Sequence, residues 1–363
     1  MHLLDIAVGI EVKVHDWKEV NVSVPRPDGF NVIEEVNGKP CDQWVGSQKG
    51  KFAVYLVEKR GVDHFKLISR LTKILGEKPS YLGIKDANAT TMQIVYVRSK
   101  RLDAYTEKNL RIKFLGYTDA KLDHTGNIFK INLVTEETNE LEERVRTLKD
   151  EMLPAYVGYQ RFGTRRPTTH LIGKAITQRD WCQAVKFMLG YPFLKESETM
   201  IKFRKDFMSG TISKDQLARA PYRERQVYLE LDRSGDCLMA LKRFLPQDLS
   251  FMVEAYQSYL FNRVLSRKLI YEKAKEDDII TLYTDPSLCD YECREVYEEE
   301  NIGKNSFKIP ELEVNLNNLR RNAFMRVKSL EFKDGVLSFS LDRGMYATVV
   351  LSELLNSDPA SFT

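Results

Sequence analysis

The feature that most limits the fold of this chain is the alternation of strand-like and helix-like segments over its first 160 residues. Residues 52–57 read FAVYLV, a short run of β-branched and aromatic side chains that predicts a strand. A helix should follow, because Asp63 can cap its N-terminus and Gly76 stands where helices end. Between these two residues, Leu67 and Leu71 belong to an apolar set with helical spacing.

The same patterns predict further elements along the chain. They indicate strands at residues 92–97 and 128–134, helices at residues 136–152 and 251–269, and strands at residues 336–341 and 346–351. The last two strands are predicted to flank a turn at residues 342–344. Two or three domains are expected, since the chain has 363 residues.

The composition is that of an ordinary globular protein and excludes a disordered or fibrous chain, because 43% of the residues are apolar and 29% are charged. No apolar run reaches the roughly 18 residues that a transmembrane helix needs. The N-terminal segment carries Asp5 and Glu11 within its apolar stretch and does not resemble a secretory signal. We therefore expect a cytoplasmic protein without a membrane span.

The charge is almost balanced overall but is uneven along the chain. Lys and Arg number 55 against 52 Asp and Glu, a net charge of +3. Residues 161–186 nevertheless carry six basic side chains and one acid, and residues 202–225 carry seven basic and three acidic ones. These stretches could contact phosphates, or they could be solvated helix faces.

The five cysteines are scattered, and neither they nor the five histidines show the spacing of a zinc site. We expect reduced structural thiols, with no disulfide framework and no metal site. Phosphate-binding loops of the P-loop and dinucleotide types are also missing, as is the nucleophile elbow G-x-S-x-G.

Three segments combine residues that could carry chemistry. Residues 81–93 place a Gly, a Lys-Asp pair and several hydrogen-bonding side chains in a loop between a predicted helix and strand. Residues 123–129 place a His and a Gly-Asn turn at the start of a strand, and residues 153–163 combine aromatics, glycines, a Gln and an Arg. Each segment taken alone could equally be a surface turn, turn chemistry or a buried connection.

Together, the three segments resemble the TruD family of pseudouridine synthases. The family string G-x-K-D-x-x-A-x-T-x-Q is matched in full at residues 83–93, and H-x-G-N-x-F is matched at residues 124–129. The string of a proline, an aromatic and G-x-Q-R-F-G is matched at residues 154–163, with Ala155 in place of the usual Asn. The matches keep the family's order from about residue 30 to residue 355 and are most similar to archaeal members.

The resemblance implies a reaction that detaches uracil from a uridine, turns it and rejoins it through carbon, with no metal, cofactor or nucleotide. Asp86 would be the catalytic residue, either as the nucleophile at C1′ or as the base that removes the 2′ proton. Either role needs an ionised carboxylate, which a nearby cation favours. Lys85, Arg26 and other basic residues are the candidates to supply that cation.

The resemblance also implies which residues bind the substrate. Phe129 would be the stacking platform for the base, and Asn127 would bind it or shape its pocket. Gln160 and Arg161 would contact the RNA. The partner would be tRNA or another structured RNA, with uridine 13 of tRNA or a related site as the target, and the protein would be a monomer.

The implied fold is of the α+β class. Residues 1–164 and 311–363 would form a discontinuous catalytic domain with a mixed, mainly antiparallel sheet flanked by helices. Residues 165–310 would form an α/β insertion domain that is one wall of an RNA cleft.

Two alternatives remain open at the level of sequence. Val24 and Ser352 replace basic residues that are usual in the family, with Arg26 as a possible substitute for the first. These departures are compatible with an RNA-binding protein of the same fold in which catalysis is weakened. An RNA N-glycosylase would begin the reaction in a similar way but would release free uracil.

Overall fold

The computed structural model describes residues 1–100, 102–163, 166–193 and 195–363. In chain order, its strands are β1 (Phe30–Val36), β2 (Lys39–Pro40), β3 (Phe52–Arg60), β4 (Ser80–Tyr81), β5 (Thr90–Val97), β6 (Ala104–Glu107), β7 (Leu110–Thr118), β8 (His124–Asn132), β9 (Met152–Pro154), β10 (Ile279–Leu282), β11 (Lys308–Ile309), β12 (Val314–Asn315), β13 (Leu319–Asn322), β14 (Phe324–Arg326), β15 (Lys328–Lys333) and β16 (Val336–Asp342). Its helices are α1 (Leu3–Ala7), α2 (His64–Leu75), α3 (Thr138–Leu148), α4 (Thr169–Thr177), α5 (Trp181–Leu189), α6 (Glu198–Ser209), α7 (Lys214–Arg219), α8 (Tyr222–Ser234), α9 (Cys237–Leu241), α10 (Pro246–Ile270), α11 (Tyr291–Glu299) and α12 (Ala347–Leu355).

A large mixed sheet forms the centre of the fold. Its strand order is β15-β16-β8-β1-β5-β3-β7-β6, with β2 paired to β1 and β4 paired to β5. Strands β1 and β5 run parallel, and the other neighbours in this order run antiparallel. The prediction of a mixed, mainly antiparallel sheet flanked by helices is confirmed.

The capping signals read from the sequence define helix α2 correctly. The Asp63 side chain accepts hydrogen bonds from the N–H groups of Phe65 and Lys66. Gly76 ends the helix with a φ of +76°, a left-handed conformation that glycine adopts without a Cβ clash. The apolar face between the caps, including Leu67 and Leu71, is buried against the sheet.

The strand predicted at residues 346–351 is wrong, because this segment begins helix α12. Every residue of α12 is buried, so the helix has no solvent-exposed face whose polar residues would show a helical spacing in the sequence. A short apolar run that is buried on all sides reads the same whether it is a strand or a helix. The preceding strand, predicted at residues 336–341, is confirmed as β16.

The chain between β9 and β10 is mostly helical. Helix α10 confirms the helix predicted at residues 251–269 and packs along α4. Buried residues of these helices belong to the same apolar cluster as residues of β8 and β16 from the large sheet. The helical region is therefore joined to the sheet through a continuous core.

The expectation that all cysteines are reduced is wrong for four of them. Cys182 of α5 is bonded to Cys237 of α9, and Cys289 is bonded to Cys293 at the start of α11. Cys41 is free and buried. The first bridge connects positions 55 residues apart, a link that spacing in the sequence does not reveal.

No helix in the described part of the chain is both long enough and apolar enough to cross a membrane.

Candidate active site

A cleft of about 330 Å³ opens where the loop before β5 meets the neighbouring strands β1 and β8 of the sheet. Asp86 lies in this loop, while Asn127 and Phe129 reach the cleft from β8. Gln160 and Tyr346 also line the cleft. Three segments that are distant in sequence therefore meet at one concave site.

Strand register explains why the two β8 side chains lie on one wall. Asn127 pairs with Glu34 of β1, and Phe129 pairs with Val32. Directly paired residues point to the same face of a sheet, and residues two apart along a strand share a face. Asn127, Phe129 and their β1 partners therefore form a single surface beneath the cleft.

Gly83 lets the Asp86 loop come close to β8. A Cβ at this position would lie 3.2 Å from a ring carbon of His124 and 3.3 Å from Nζ of Lys85. Glycine at this position is therefore explained by the close approach of the loop to His124 and Lys85.

Lys85 points away from Asp86 and into the protein. Its Nζ lies 2.8 Å from Oε1 of Glu34 and donates a hydrogen bond of 2.7 Å to Oδ1 of Asn127. Glu34 is fully buried, and Lys85 is 6% exposed. An ammonium group can only donate, so this contact fixes which end of the Asn127 amide is the oxygen.

His124 completes the group around Asn127. Its Nε2 lies 3.4 Å from the same Oδ1. Burial, followed by the charge of Lys85, lowers the pKa of His124 below its usual value. A neutral ring with its proton on Nε2 can donate to Oδ1 of Asn127, which also accepts the hydrogen bond from Lys85.

Burial and nearby cations shift the pKa of the Asp86 carboxyl in opposite directions. Asp86 is open to solvent at the mouth of the cleft, yet the surrounding protein desolvates its carboxyl and raises its pKa. Arg26, Lys59 and Lys85, in this order of strength, lower the pKa. Burial is the larger effect, so the pKa of Asp86 lies above its usual value, and the three cations act against burial in favour of the ionised form.

Arg26 is held beside this carboxyl by contacts with the backbone and with a ring. Its Nη1 donates to the carbonyl of Asn88 at 3.0 Å and its Nη2 to the carbonyl of Phe362, and its guanidinium lies 3.7 Å from the centroid of Phe30. Burial lowers the pKa of Arg26 to about 10, and Asp86 acts against that change. The guanidinium is therefore charged at neutral pH.

Phe129 is packed more tightly than an open platform would be. Its ring stacks on Phe339 with centroids 5.2 Å apart and meets Phe30 edge-on, which leaves the residue 7% exposed. Phe339 thus covers one face of the ring. A base that enters the cleft can reach only the remaining surface of this ring.

Gln160 and Arg161 follow one another in a short 3-10 helix but have different surroundings. Gln160 lines the cleft, and its Oε1 accepts a 2.8 Å hydrogen bond from Thr348. Arg161 pairs with Glu254 at 2.6 Å and lies 4.4 Å from the centroid of Phe251. Gln160 therefore contacts α12 and the cleft, whereas Arg161 contacts α10.

The basic stretch that starts at Arg161 is less available than its composition indicates. Arg166 donates hydrogen bonds to three carbonyl groups at residues 187, 188 and 190. This side chain therefore has a structural role in the helical region and does not support the interpretation of residues 161–186 as a phosphate-contacting stretch. Arg165, in the same basic stretch, lies outside the described residues.

The two departures from the family pattern lie in structural positions. Val24 is 8% exposed and belongs to the core. Ser352 is buried, and its hydroxyl accepts a hydrogen bond from Tyr159 and donates one to Asp5. Because Arg26 lies beside Asp86, the lack of a basic residue at position 24 does not deprive this carboxyl of a cation.

The sequence analysis missed four residues of the site. Glu34 and Lys59 lie on strands, two residues after the buried Val32 and Val57 respectively. Side chains two residues apart on a strand share a face, so this spacing could have shown that both charged residues are buried. The other two, Arg343 and Tyr346, line the cleft from the turn after β16. Residues 344–348 also resemble a C-terminal family string, G-x-[YF]-A-T, but this segment was predicted only as a turn and a strand and not as part of the site.

The cleft has no evident metal-binding group. Within the described residues, no three His, Cys, Asp or Glu side chains lie close enough together to hold a metal ion.

Comparison with known proteins places this fold and cleft in a family. The family model described as "tRNA pseudouridine synthase D (TruD)" matches residues 8–293 and 285–354. A "Probable tRNA pseudouridine synthase D" of Sulfurisphaera tokodaii is 44% identical over 353 residues, which cover 96% of this chain and 97% of that protein. A protein of the same name from Saccharolobus solfataricus is also 44% identical and covers 100% of this chain and 99% of its own length.

A solved structure shows the same fold. The crystal structure of a "Putative tRNA pseudouridine synthase D (TruD)" from Methanosarcina mazei superposes with a TM-score of 0.74. The match covers 98% of each chain at 23% sequence identity.

The chain is thus a pseudouridine synthase, an enzyme of the isomerase class, by its sequence relationships. It belongs to the TruD family, and the resemblance drawn from the three sequence segments is confirmed.

Proposed function

We propose that this enzyme converts a uridine of tRNA to pseudouridine and that Asp86 is its catalytic residue. The observation that carries the proposal is the position of Asp86: it lies in the cleft, close to Arg26, Lys59 and Lys85. The tRNA substrate is supported by the name of the family and of the archaeal relatives. Uridine 13, or a related site, is the target that we propose by resemblance.

The side chains of the cleft have distinct roles in this proposal. Oδ1 of Asn127 already accepts hydrogen bonds from Lys85, so its Nδ2 group is the part left to donate to a carbonyl oxygen of uracil. The free surface of Phe129 would contact the base, and Gln160, which also lines the cleft, would bind it. Arg161 would contact the RNA backbone outside the cleft, beside Phe251.

The chemistry has two forms, both of which use the ionised carboxylate. In one, Asp86 attacks C1′ as the bond from C1′ to N1 breaks, the detached uracil turns, and C5 displaces the carboxylate. In the other, Asp86 removes the 2′ proton as the same bond breaks, and the proton returns when C5 bonds to C1′. In both forms the proton on C5 is lost and N1 gains one, so the product is an isomer of the substrate.

The remaining parts of the proposal concern organisation and setting. We retain the division into a catalytic domain of residues 1–164 and 311–363 and an insertion of residues 165–310. Exposed basic residues of α6 and α7, such as Lys202, Lys205 and Arg219, would contact phosphates. We further propose a cytoplasmic monomer that needs no cofactor.

The test is substitution of the proposed catalytic residue. Asp86→Ala should abolish pseudouridine formation in an unmodified tRNA transcript, while tRNA binding stays within about threefold, because the carboxylate does not hold the RNA backbone. Mass spectrometry should show no product and no free uracil. Asp42→Asn, a change at an exposed carboxylate outside the cleft, should leave turnover unchanged.

The outcomes separate the alternatives. Normal turnover by Asp86→Ala would show that another group is catalytic. Release of uracil by the wild-type protein would identify an N-glycosylase. If the wild-type protein binds RNA but forms no pseudouridine in any transcript or cellular RNA, the RNA-binding alternative is supported.

A further inference from the structure

Lys59 is a buried cation that the sequence analysis did not assign to any function. It lies near the end of β3, on the strand face that also carries Tyr55 and Val57, and is 0% exposed. Strand β3 is paired on both sides, with β5 and with β7. The ammonium group therefore extends from one of the most constrained strands of the sheet.

Its contacts lead directly to the catalytic loop. Nζ of Lys59 donates hydrogen bonds to the carbonyl groups of Val62 at 2.8 Å, of Lys85 at 3.5 Å and of Asp86. Three donors thus meet three carbonyl acceptors, which is the full capacity of an ammonium group. Two of these carbonyls belong to the dipeptide that carries the proposed catalytic carboxylate.

The position of Lys59 in the sheet is continuous with the wall of the cleft. Lys59 pairs with Thr91 of β5, Thr91 pairs with Val32 of β1, and Val32 pairs with Phe129 of β8. These four residues form one row across the sheet on the same face. A rigid row of paired strands thus joins the ammonium group to the wall on which the base would lie.

The charges that face Lys59 come from the surrounding loops. Burial lowers its pKa to about 8, Asp86 and Asp63 act in the opposite direction, and Lys85 acts in the same direction as burial. His64, at the start of α2, also lies within electrostatic reach. The hydrogen bonds of this ammonium all go to backbone carbonyl groups. Its effect on the pKa of the Asp86 carboxylate is therefore electrostatic and involves no direct hydrogen bond to that carboxylate.

The groups that face Asp86 can be named in the same way. Arg26 acts from the segment before β1, Lys59 from β3 and Lys85 from the loop itself. His124 and Arg343 are further titratable or charged side chains around the cleft. Among the three cations that lower the pKa of Asp86, only Lys59 also holds the carbonyl of Asp86.

We propose that Lys59 is a positioning residue, which fixes the Asp86 loop through its carbonyl groups and favours the ionised carboxylate through its charge. This inference rests on the proposed function, because it assumes that Asp86 is catalytic. Lys85 does not have the same role, since its ammonium is committed to Glu34 and Asn127.

The decisive experiment measures kcat/KM for pseudouridine formation against pH in the full-length enzyme. Lys59→Met should lower kcat/KM about 100-fold at neutral pH, the size of effect expected from a displacement of about 1 Å. Removing a cation raises the pKa of Asp86. The acidic limb of the pH profile of kcat/KM should therefore move to higher pH by about one unit. A merely structural role would reduce the amplitude without moving this limb.

Two further variants complete the design. Lys59→Gln keeps two N–H donors but loses the charge, so it should recover part of the rate at the optimum while the acidic limb of its pH profile stays displaced. Lys66→Met removes an exposed lysine of α2 and should leave the profile unchanged. Thermal unfolding and tRNA binding should be measured for each variant, to show that it is folded.

The wild-type enzyme also provides a measurement at alkaline pH. As pH rises through about 8, Lys59 should lose its proton, one of its three donors and its charge, so single-turnover rates should fall. A fall between about pH 7.5 and 9.5 that is present in the wild type and absent from Lys59→Met would support the proposal, because the variant has no ammonium group to titrate.

The results distinguish this inference from the proposed function. If Asp86→Ala is inactive and a folded Lys59 variant keeps the wild-type acidic limb, Lys59 is not a positioning residue and the function of Asp86 stands. If Asp86→Ala is active, both proposals fail. A displaced limb in Lys59→Met or Lys59→Gln, together with inactive Asp86→Ala, supports both.

Discussion

At the scale of single residues, the site depends on charges that the fold removes from water. Lys85 and Glu34 form an ion pair whose side chains are 5% and 0% exposed. Glu34 also accepts a 3.0 Å hydrogen bond from the N–H of Ile94. Such a pair is costly to assemble, and it is more costly to leave with one member missing. Its contribution here is to orient Asn127 towards the cleft.

A first prediction follows for this pair. Lys85→Met should lower the free energy of unfolding by about 3 kcal/mol, because it leaves the Glu34 carboxylate buried without its cation. Adding Glu34→Gln should recover at least about 1 kcal/mol, since the new amide is neutral and can still accept from Ile94. Urea denaturation of the two single variants and the double variant checks this. Strictly additive losses would contradict it.

At the scale of elements, the sequence was informative where one face of an element meets solvent. Helix α2 was predicted with its correct capping residues, Asp63 and Gly76, because apolar and polar positions alternate around it. Helix α12 was predicted as a strand, because burial on all sides removes that contrast. The loop that carries Asp86 was placed correctly between a helix and β5, but the pairing that brings β8 beside β1 joins distant segments and left no local signal.

Gly126 shows how closely two of these elements approach. A Cβ at this position would lie 2.4 Å from the carbonyl oxygen of Leu341, on the neighbouring strand β16. Strand β8 also carries Asn127, which is the register partner of Leu341. The distance between the two strands therefore decides where the Asn127 amide is presented.

We predict that Gly126→Ala forces β8 and β16 apart. It should lower the free energy of unfolding by about 2 kcal/mol, as expected for overpacking against backbone, and should reduce kcat as Asn127 moves. Gly303→Ala is the matched control, because its Cβ would meet only Oγ of Ser306 at 3.9 Å, and it should stay within about 0.5 kcal/mol of the wild type. Equal stability of the two variants would show that the strands adjust freely.

At the scale of the whole molecule, the long helix α10 is tied to the rest of the chain by a buried amide. Nδ2 of Asn262 donates to the carbonyl groups of Val8 and Val157, and its Oδ1 accepts from the N–H of Val157. The partners lie 254 and 105 residues away in sequence. The periodicity of the sequence predicted the helix correctly, but it could not identify contacts with such distant backbone groups.

The last prediction concerns this connection. Asn262→Leu keeps the size of the side chain but leaves three buried backbone groups without partners, so it should lower the free energy of unfolding by about 3 kcal/mol. Because Val157 lies just before Gln160, the cleft should also be disturbed, and kcat/KM for tRNA should fall. The control Gln247→Ala, at an exposed position of α10, should change neither quantity. If Asn262→Leu unfolds like the wild type, this amide does not determine how α10 is placed against the sheet.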